Sequence, residues 1–269
     1  MFPRLIHIGN FSLPTYGVLV AAAFLTALWL ASKFAQMQRI SKEKVINLGV
    51  YCALVGMLGA KVLMIALDPE YRAHPLEVFS LETLQSAGIF FGGFILALVF
   101  AYFYMRRQQL PVLQTSDLFA PGVAIGHGIG RLGCLAAGCC WGKPTNLPWG
   151  ITFNNPNATT GAPLGVPLHP TQLYEALAEG VICAILINRL MRPHREGQII
   201  GLYLALYGAV RFGVEFLRAH DASNPFGGPF VLEQWISLVA IAAGIYLMLR
   251  QAPVVTLKPA PTLPAAQGA

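Results

Sequence analysis

The chain has 269 residues, 55% apolar and 11% charged, against roughly a quarter charged in ordinary soluble domains. A soluble fold of this size would lack the polar surface to cover itself, so the composition specifies an integral membrane protein. The net charge of +6 follows membrane topology and implies no nucleic acid partner.

Seven apolar runs predict spanning helices at about 14–32, 45–67, 87–105, 117–137, 171–188, 198–217 and 232–249. The first run is too long for a cleaved signal peptide and reads as a retained anchor. With the N-terminus outside, the inner loops hold eleven basic residues: Lys33, Arg39, Lys42, Lys44, Arg106, Arg107, Arg189, Arg192, Arg195, Arg250 and Lys258. The outer segments hold four: Arg4, Arg72, Lys143 and Arg218. The asymmetry satisfies the positive-inside rule with the C-terminus inside. The acidic residues Asp68, Glu70, Glu77 and Glu82 then fall outside. The expected fold is all-α, with about seven transmembrane helices and a small external loop or cap. One membrane domain covers 1–251, its cap about 138–170, and 252–269 form a disordered cytoplasmic tail.

Span three opens on Phe90-Phe91-Gly92-Gly93, where paired glycines allow backbone to approach a ligand or a neighbouring helix. Span four has Gly122, Gly126 and Gly130 at four-residue spacing, a groove for helix packing. It also holds Arg131, with His127 one turn earlier on the same face. A guanidinium at that depth costs several kcal/mol and is rarely there without a partner or a task. Beyond it Cys134, Cys139 and Cys140 cluster where an oxidising compartment begins, and a disulfide from Cys134 to Cys139 or Cys140 is the expected state. Free thiols are the second reading. A metal site with His127 or His169 is the third, since the paired spacing of zinc frameworks is missing. Isolated Cys52 and Cys183 read as apolar fillers.

The segment 138–170 carries Trp141, Trp149 and Phe153, aromatics suited to the headgroup layer. Span five opens His169-Pro170-Thr171-Gln172-Leu173-Tyr174-Glu175, with Thr171 as a candidate cap and Glu175 suited to the helix dipole. Span six sets Tyr207, Arg211 and Glu215 on one face at four-residue intervals, with Arg218 next. A self-neutralised Arg–Glu pair is the plain reading. The sharper one adds Arg131 as a second cation facing an external anion. Arginine suits phosphate because its fork donates two parallel hydrogen bonds.

On these residues the chain resembles bacterial prolipoprotein diacylglyceryl transferases along roughly 12–250. The matching points are Tyr16-Gly17, Phe91-Gly92-Gly93, Gly130-Arg131-Leu132-Gly133 with Trp141-Gly142, the His169–Glu175 run, and Tyr207-Gly208 with Arg211-Phe212 and Glu215-Phe216, continuing to Arg218 and Asp221. The resemblance implies transfer of the diacylglyceryl group from phosphatidylglycerol to the lipobox cysteine of a preprolipoprotein, forming a thioether and releasing glycerol phosphate. It places the protein in the bacterial inner membrane, with membrane lipid and the preprolipoprotein signal-peptide region as partners; no nucleotide, flavin or haem cofactor motif is evident, and nothing demands a metal. The implied catalytic residues are Arg211, Arg131, Glu215, Tyr16 and Tyr207. The implied lipid-binding set is Arg131, Gly92, Gly93, Gly142, Gln172, Tyr174 and Glu175. Phe91 stands where such enzymes often have His, Cys134 at an Asn position and Cys139 at a Glu position, so a His-based deprotonation of the thiol is not provided there. Tyr207, Glu215, His127 or the arginines' field are the substitutes. A paralogue that binds lipid without transfer, and a membrane thiol-redox protein, are the competing readings.

Overall fold

The structure, a computed structural model, describes residues 4–8, 11–73, 89–155, 162–219, 224 and 227–255. In chain order the elements are β1 (Arg4–Ile8), β2 (Phe11–Pro14), α1 (Thr15–Met37), α2 (Lys42–Leu67), α3 (Pro69–Ala73), α4 (Phe90–Arg107), α5 (Val112–Ala137), β3 (Ile151–Thr152), β4 (Pro167–Leu168), α6 (Thr171–Leu190), β5 (His194–Arg195), α7 (Gln198–Glu215), α8 (Leu232–Leu249) and β6 (Val254–Val255). The protein is mostly helical, and α1, α2, α4, α5 and α8 are long and apolar enough to cross a membrane. Two further long helices, α6 with 20 residues and α7 with 18, carry the acidic and basic groups discussed below. Many large apolar side chains face outward, among them Leu25, Leu54, Met57, Phe103, Leu177 and Tyr246. Lipid, unlike water, imposes no cost on such a surface.

The chain divides into two compact units, 39–115 and the remainder. In the first of these α2 crosses α4. A Cβ at Gly92 would lie 2.5 Å from the Gly59 carbonyl oxygen, and one at Gly93 would lie 2.5 Å from that of Gly56. The paired glycines therefore serve a close helix crossing, and their absent side chains are filled by α2 backbone. Glu77 and Glu82 lie outside the described residues.

In the larger unit α5 packs on α1 through Gly122 and Gly126, which face Ala27 and Ala23. A Cβ placed on Gly130 would meet no described atom of a neighbouring element within 4 Å, so two of the three groove glycines account for this contact. Between α5 and α6, β3 and β4 pair antiparallel as a short ribbon, with Ile151 opposite Leu168. Phe153, expected among headgroup aromatics, is instead buried, whereas Trp149 is exposed. Val254–Val255 pair with His194–Arg195; the rest of the expected tail, from 256 on, lies outside the described residues.

Asp117 has no counterpart in the sequence reading. It is fully buried on α5, and its carboxylate accepts N–H bonds from Gly197 at 2.7 Å, Ile199 at 3.0 Å and Ile200 at 2.8 Å. It thus caps the start of α7 from another helix, satisfying donors that have no intrahelical acceptor. Asp117→Ala is expected to destabilise the fold by ~1.5–3 kcal/mol, and Asp117→Asn by less, since the amide oxygen still accepts. Thermal unfolding in detergent micelles measures the difference.

His194 is also buried, with Nδ1 2.8 Å from the Arg192 carbonyl oxygen. Burial lowers its pKa below the ordinary 6.5, against the opposing effect of that hydrogen bond. Above the ordinary value the ring is neutral in both folded and unfolded chains, and no pH dependence arises. As pH falls below 6.5, the unfolded chain takes up a proton that the buried ring refuses, so stability declines. The melting temperature should drop on acidification from about pH 7 to pH 5.5, less steeply in His194→Gln.

Candidate functional site

Three helix ends supply the buried charges. Arg131 lies near the end of α5, Glu175 in the first turns of α6, and Arg211 and Glu215 in the last turns of α7, with Arg218 just beyond. The three arginines are 13–14% exposed and the two glutamates 1–2%. Arg131 Nη2 meets Glu175 Oε2 at 2.7 Å. The other Glu175 oxygen lies 3.5 Å from Arg218 Nη1, and Arg218 Nε stands 3.9 Å from Glu215 Oε2. That same Glu215 oxygen pairs with Arg211. The chain of contacts runs Arg131, Glu175, Arg218, Glu215, Arg211: three cations and two carboxylates. These five side chains by themselves sum to one positive charge in a buried place, where a guanidinium is costly to leave unneutralised. Among the described residues, Nε of Arg131 has no hydrogen-bond acceptor. Such a set of guanidinium donors is able to hold an anion.

Arg131 and Arg211 are therefore linked through Glu175, Arg218 and Glu215. Tyr207 stands within electrostatic reach of both, and of Glu175 and Glu179. Its ring stacks on Tyr203 at 5.8 Å and meets His127 edge-on at 5.0 Å. His127 Nδ1 lies 2.7 Å from Oε1 of the fully buried Glu179. This second acid–base pair occupies the α5 face that carries Arg131.

The turn after α5 is held by α6. Thr171 does not cap its own helix; its hydroxyl donates to the Cys140 carbonyl at 2.8 Å. Gln172 donates to the Cys139 carbonyl at 2.6 Å. Gly142 lies so close to His169 and Leu217 that a Cβ would come within 2.5 Å of His169 Cβ. Its N–H donates to His169 O at 2.9 Å, while Lys143 N–H donates to Leu217 O at 2.8 Å. This tight passage ties the end of α7 to the segment leading into α6. The Tyr174 hydroxyl accepts from Trp149 Nε1 at 2.9 Å and lies 3.3 Å from His169 Nδ1. Tyr16 lies against Gly133 and within electrostatic reach of Arg131 and the three clustered cysteines.

The disulfide expected from Cys134 to Cys139 or Cys140 is not formed: all three are free thiols. Cys139 and Cys140 sulfurs are 3.7 Å apart, and the Cys139 thiol donates to the Cys134 carbonyl at 3.6 Å, whereas a disulfide needs about 2.0 Å. The Cys140 thiol is held below its ordinary pKa by hydrogen bonding with the Cys134 and Cys139 thiols, reinforced by the charges of Arg218 and Arg131.

Of the expected site residues, Arg131, Arg211, Glu175, Glu215 and Tyr207 come together directly, and Tyr16, Gln172 and Gly142 border them. Gly92 and Gly93 belong to the other unit. Sequence reasoning undervalued Arg218, which links the two glutamates; its signal was the three-residue spacing from Glu215. It also left Glu179 unassigned, although Glu179 follows Glu175 by one helical turn and so shares its face.

The family described as prolipoprotein diacylglyceryl transferase matches residues 3–250. Over 249 residues the chain is 32% identical to the phosphatidylglycerol–prolipoprotein diacylglyceryl transferase of Clostridium tetani, covering 92% of this chain and 96% of that protein. It is 35% identical over 255 residues to the like-named protein of Vibrio parahaemolyticus, covering 92% and 89%. The Finegoldia magna protein of that name is 30% identical over 237 residues, covering 87% and 90%.

Proposed function

The chain belongs to the prolipoprotein diacylglyceryl transferase family, and from that premise we propose that it moves the diacylglyceryl group of phosphatidylglycerol onto the lipobox cysteine of a preprolipoprotein. In this reaction the cysteine sulfur attacks the glyceryl carbon, a C–S bond forms as the C–O bond to phosphate breaks, and glycerol phosphate leaves. The thiol proton is lost before or during attack. The reading places seven helices across the bacterial inner membrane, N-terminus outside, with the ribbon segment on the outer side.

One observation carries this reading: a buried network of three arginines and two glutamates with a residual positive charge. Charge accumulates on the departing phosphate oxygen, and fixed donors aimed there act without reorganising. Arg131 grips the headgroup with the donors Glu175 does not occupy. Arg211 stabilises the leaving phosphate, and Glu215 holds Arg211 in its rotamer. Tyr16 and Tyr207 donate hydrogen bonds at the margin of the site. Gly142 and Gln172 shape the adjoining turn.

The test supplies purified protein with phosphatidylglycerol and a lipobox peptide, following glycerol phosphate release and peptide mass together. A peptide mass gain with matching release is expected; lipid binding without either supports the paralogue reading that Phe91 suggests. Arg131→Lys should raise the apparent KM for lipid by ~10-fold or more, because a point charge cannot reproduce a two-pronged contact. Unchanged lipid kinetics would remove Arg131 from headgroup binding.

A further inference from the structure

The three thiols at the end of α5 are arranged by the fold rather than scattered. Gly138, at φ +79°, ends the helix by turning the chain back. The N–H groups of Gly138 and Cys139 both donate to the Cys134 carbonyl, at 2.9 and 3.0 Å. This return brings Cys139 over Cys134. Cys140 then takes φ +62°, a left-handed conformation unusual for a residue with a side chain. The buried side chains of Gln172 and Thr171 lock the carbonyls of Cys139 and Cys140 from α6. As a result, all three sulfurs lie within 4.8 Å of one another, and those of Cys139 and Cys140 are 3.7 Å apart.

That spacing has a chemical meaning. With Zn–S bonds of ~2.3 Å, neighbouring sulfurs of a tetrahedral zinc site lie about 3.8 Å apart. We propose that Cys134, Cys139 and Cys140 form a three-thiolate site for a soft divalent cation of the zinc type, with its open fourth position taking the thiol of the substrate cysteine. Three protein ligands and one open position distinguish a catalytic from a structural zinc site. A thiol bound to such a cation is deprotonated outright, which supplies the nucleophile that Phe91 cannot generate. Charge favours the assembly: three thiolates and a divalent cation carry one negative charge. Arg131 is within electrostatic reach of Cys134 and Cys140, and Arg218 of Cys140. Arg131 also belongs to the phosphate-gripping network, so the sulfur nucleophile would be generated beside the carbon it attacks. The step balances. The substrate thiol gives its proton to solvent, the thiolate forms the C–S bond, the C–O bond to phosphate breaks, and the neutral thioether leaves a cation whose oxidation state has not changed.

The catalytic half of this proposal rests on the transferase reading, whereas the metal site does not, so the test separates them. Full-length protein purified without chelator should contain on the order of one zinc per chain. Replacement by Co2+ should give a thiolate-to-cobalt charge-transfer band. The band should be lost in Cys139→Ser and in Cys134→Ala, but kept in Cys183→Ser, which controls for folding. A lipobox peptide should perturb the cobalt spectrum, and its cysteine-to-serine counterpart should not. Chelator-stripped enzyme should lose transfer by ~100-fold or more and regain it with Zn2+. Failure to bind Zn2+ or Co2+, an unchanged cobalt spectrum in Cys139→Ser, no response to the thiol peptide, or full transfer by stripped protein would each overturn the proposal. Metal and peptide binding with no transfer by any form would overturn the transferase reading and the catalytic half, leaving the metal site standing.

Discussion

Arg211→Ala is expected to lower the rate of glycerol phosphate release at saturating lipid by ~10^3-fold, the scale seen when one preorganised donor is removed from a developing oxyanion. Its neighbours explain why the loss should fall on the chemical step. Arg131 and Arg218 remain beside Glu175, so the headgroup still finds two guanidinium groups, and lipid affinity should change by no more than several-fold. Arg211→Lys should recover only part of the rate, since an ammonium keeps the charge without the planar fork. The informative measurement is the split between kcat and KM for phosphatidylglycerol. A loss confined to KM would reassign Arg211 to binding, and a variant within about threefold of wild type would remove it from catalysis.

Glu175→Gln should have the largest effect on folding. This carboxylate is 1% exposed and faces two arginines, Arg131 at 2.7 Å and Arg218 at 3.5 Å. Neutralising it leaves the network with three buried cations and one carboxylate, Glu215, and breaking a buried pair from one side costs ~3–5 kcal/mol. The melting temperature in neutral detergent should fall accordingly. Micelles enriched in phosphatidylglycerol should restore more stability to Glu175→Gln than to wild type, because an anionic headgroup replaces part of the missing charge. Equal responses to lipid in both proteins would show that Glu175 does not border the anion site.

The helices were legible because lipid-facing helices are apolar all round, and that signal needs no partner. Arg131 and Arg211 stood out for the same reason, as charges where charge is expensive. What the sequence could not reveal was pairing across helices. Glu175 reads locally as a residue suited to a helix start, yet it serves arginines from two other segments. Thr171 looks like a cap and instead holds a cysteine turn. Asp117 looks like a lone acid in an apolar run; its purpose appears only when the backbone of α7 arrives beside it. The glycine pair at 92–93 matches the resemblance as a ligand contact, while its immediate neighbours are the backbone of another helix. The expected disulfide failed because sequence proximity says nothing about where sulfurs point; a carbonyl of the helix end and an adjacent thiol occupy them instead.

Helix α7 is anchored at both extremities, by the Asp117 carboxylate at Gly197 and by the backbone bond between Lys143 and Leu217 just past its end. Arg211 sits fourteen residues after Gly197, about 21 Å along the rod. The far anchor therefore acts as the fulcrum of a lever whose working tip is a guanidinium. Loosening it should swing that tip by fractions of an ångström, so Asp117→Asn is expected to slow turnover even under conditions where the folded population is undiminished. Mutations at the far end of this helix can in this way masquerade as damage to the site at its other end.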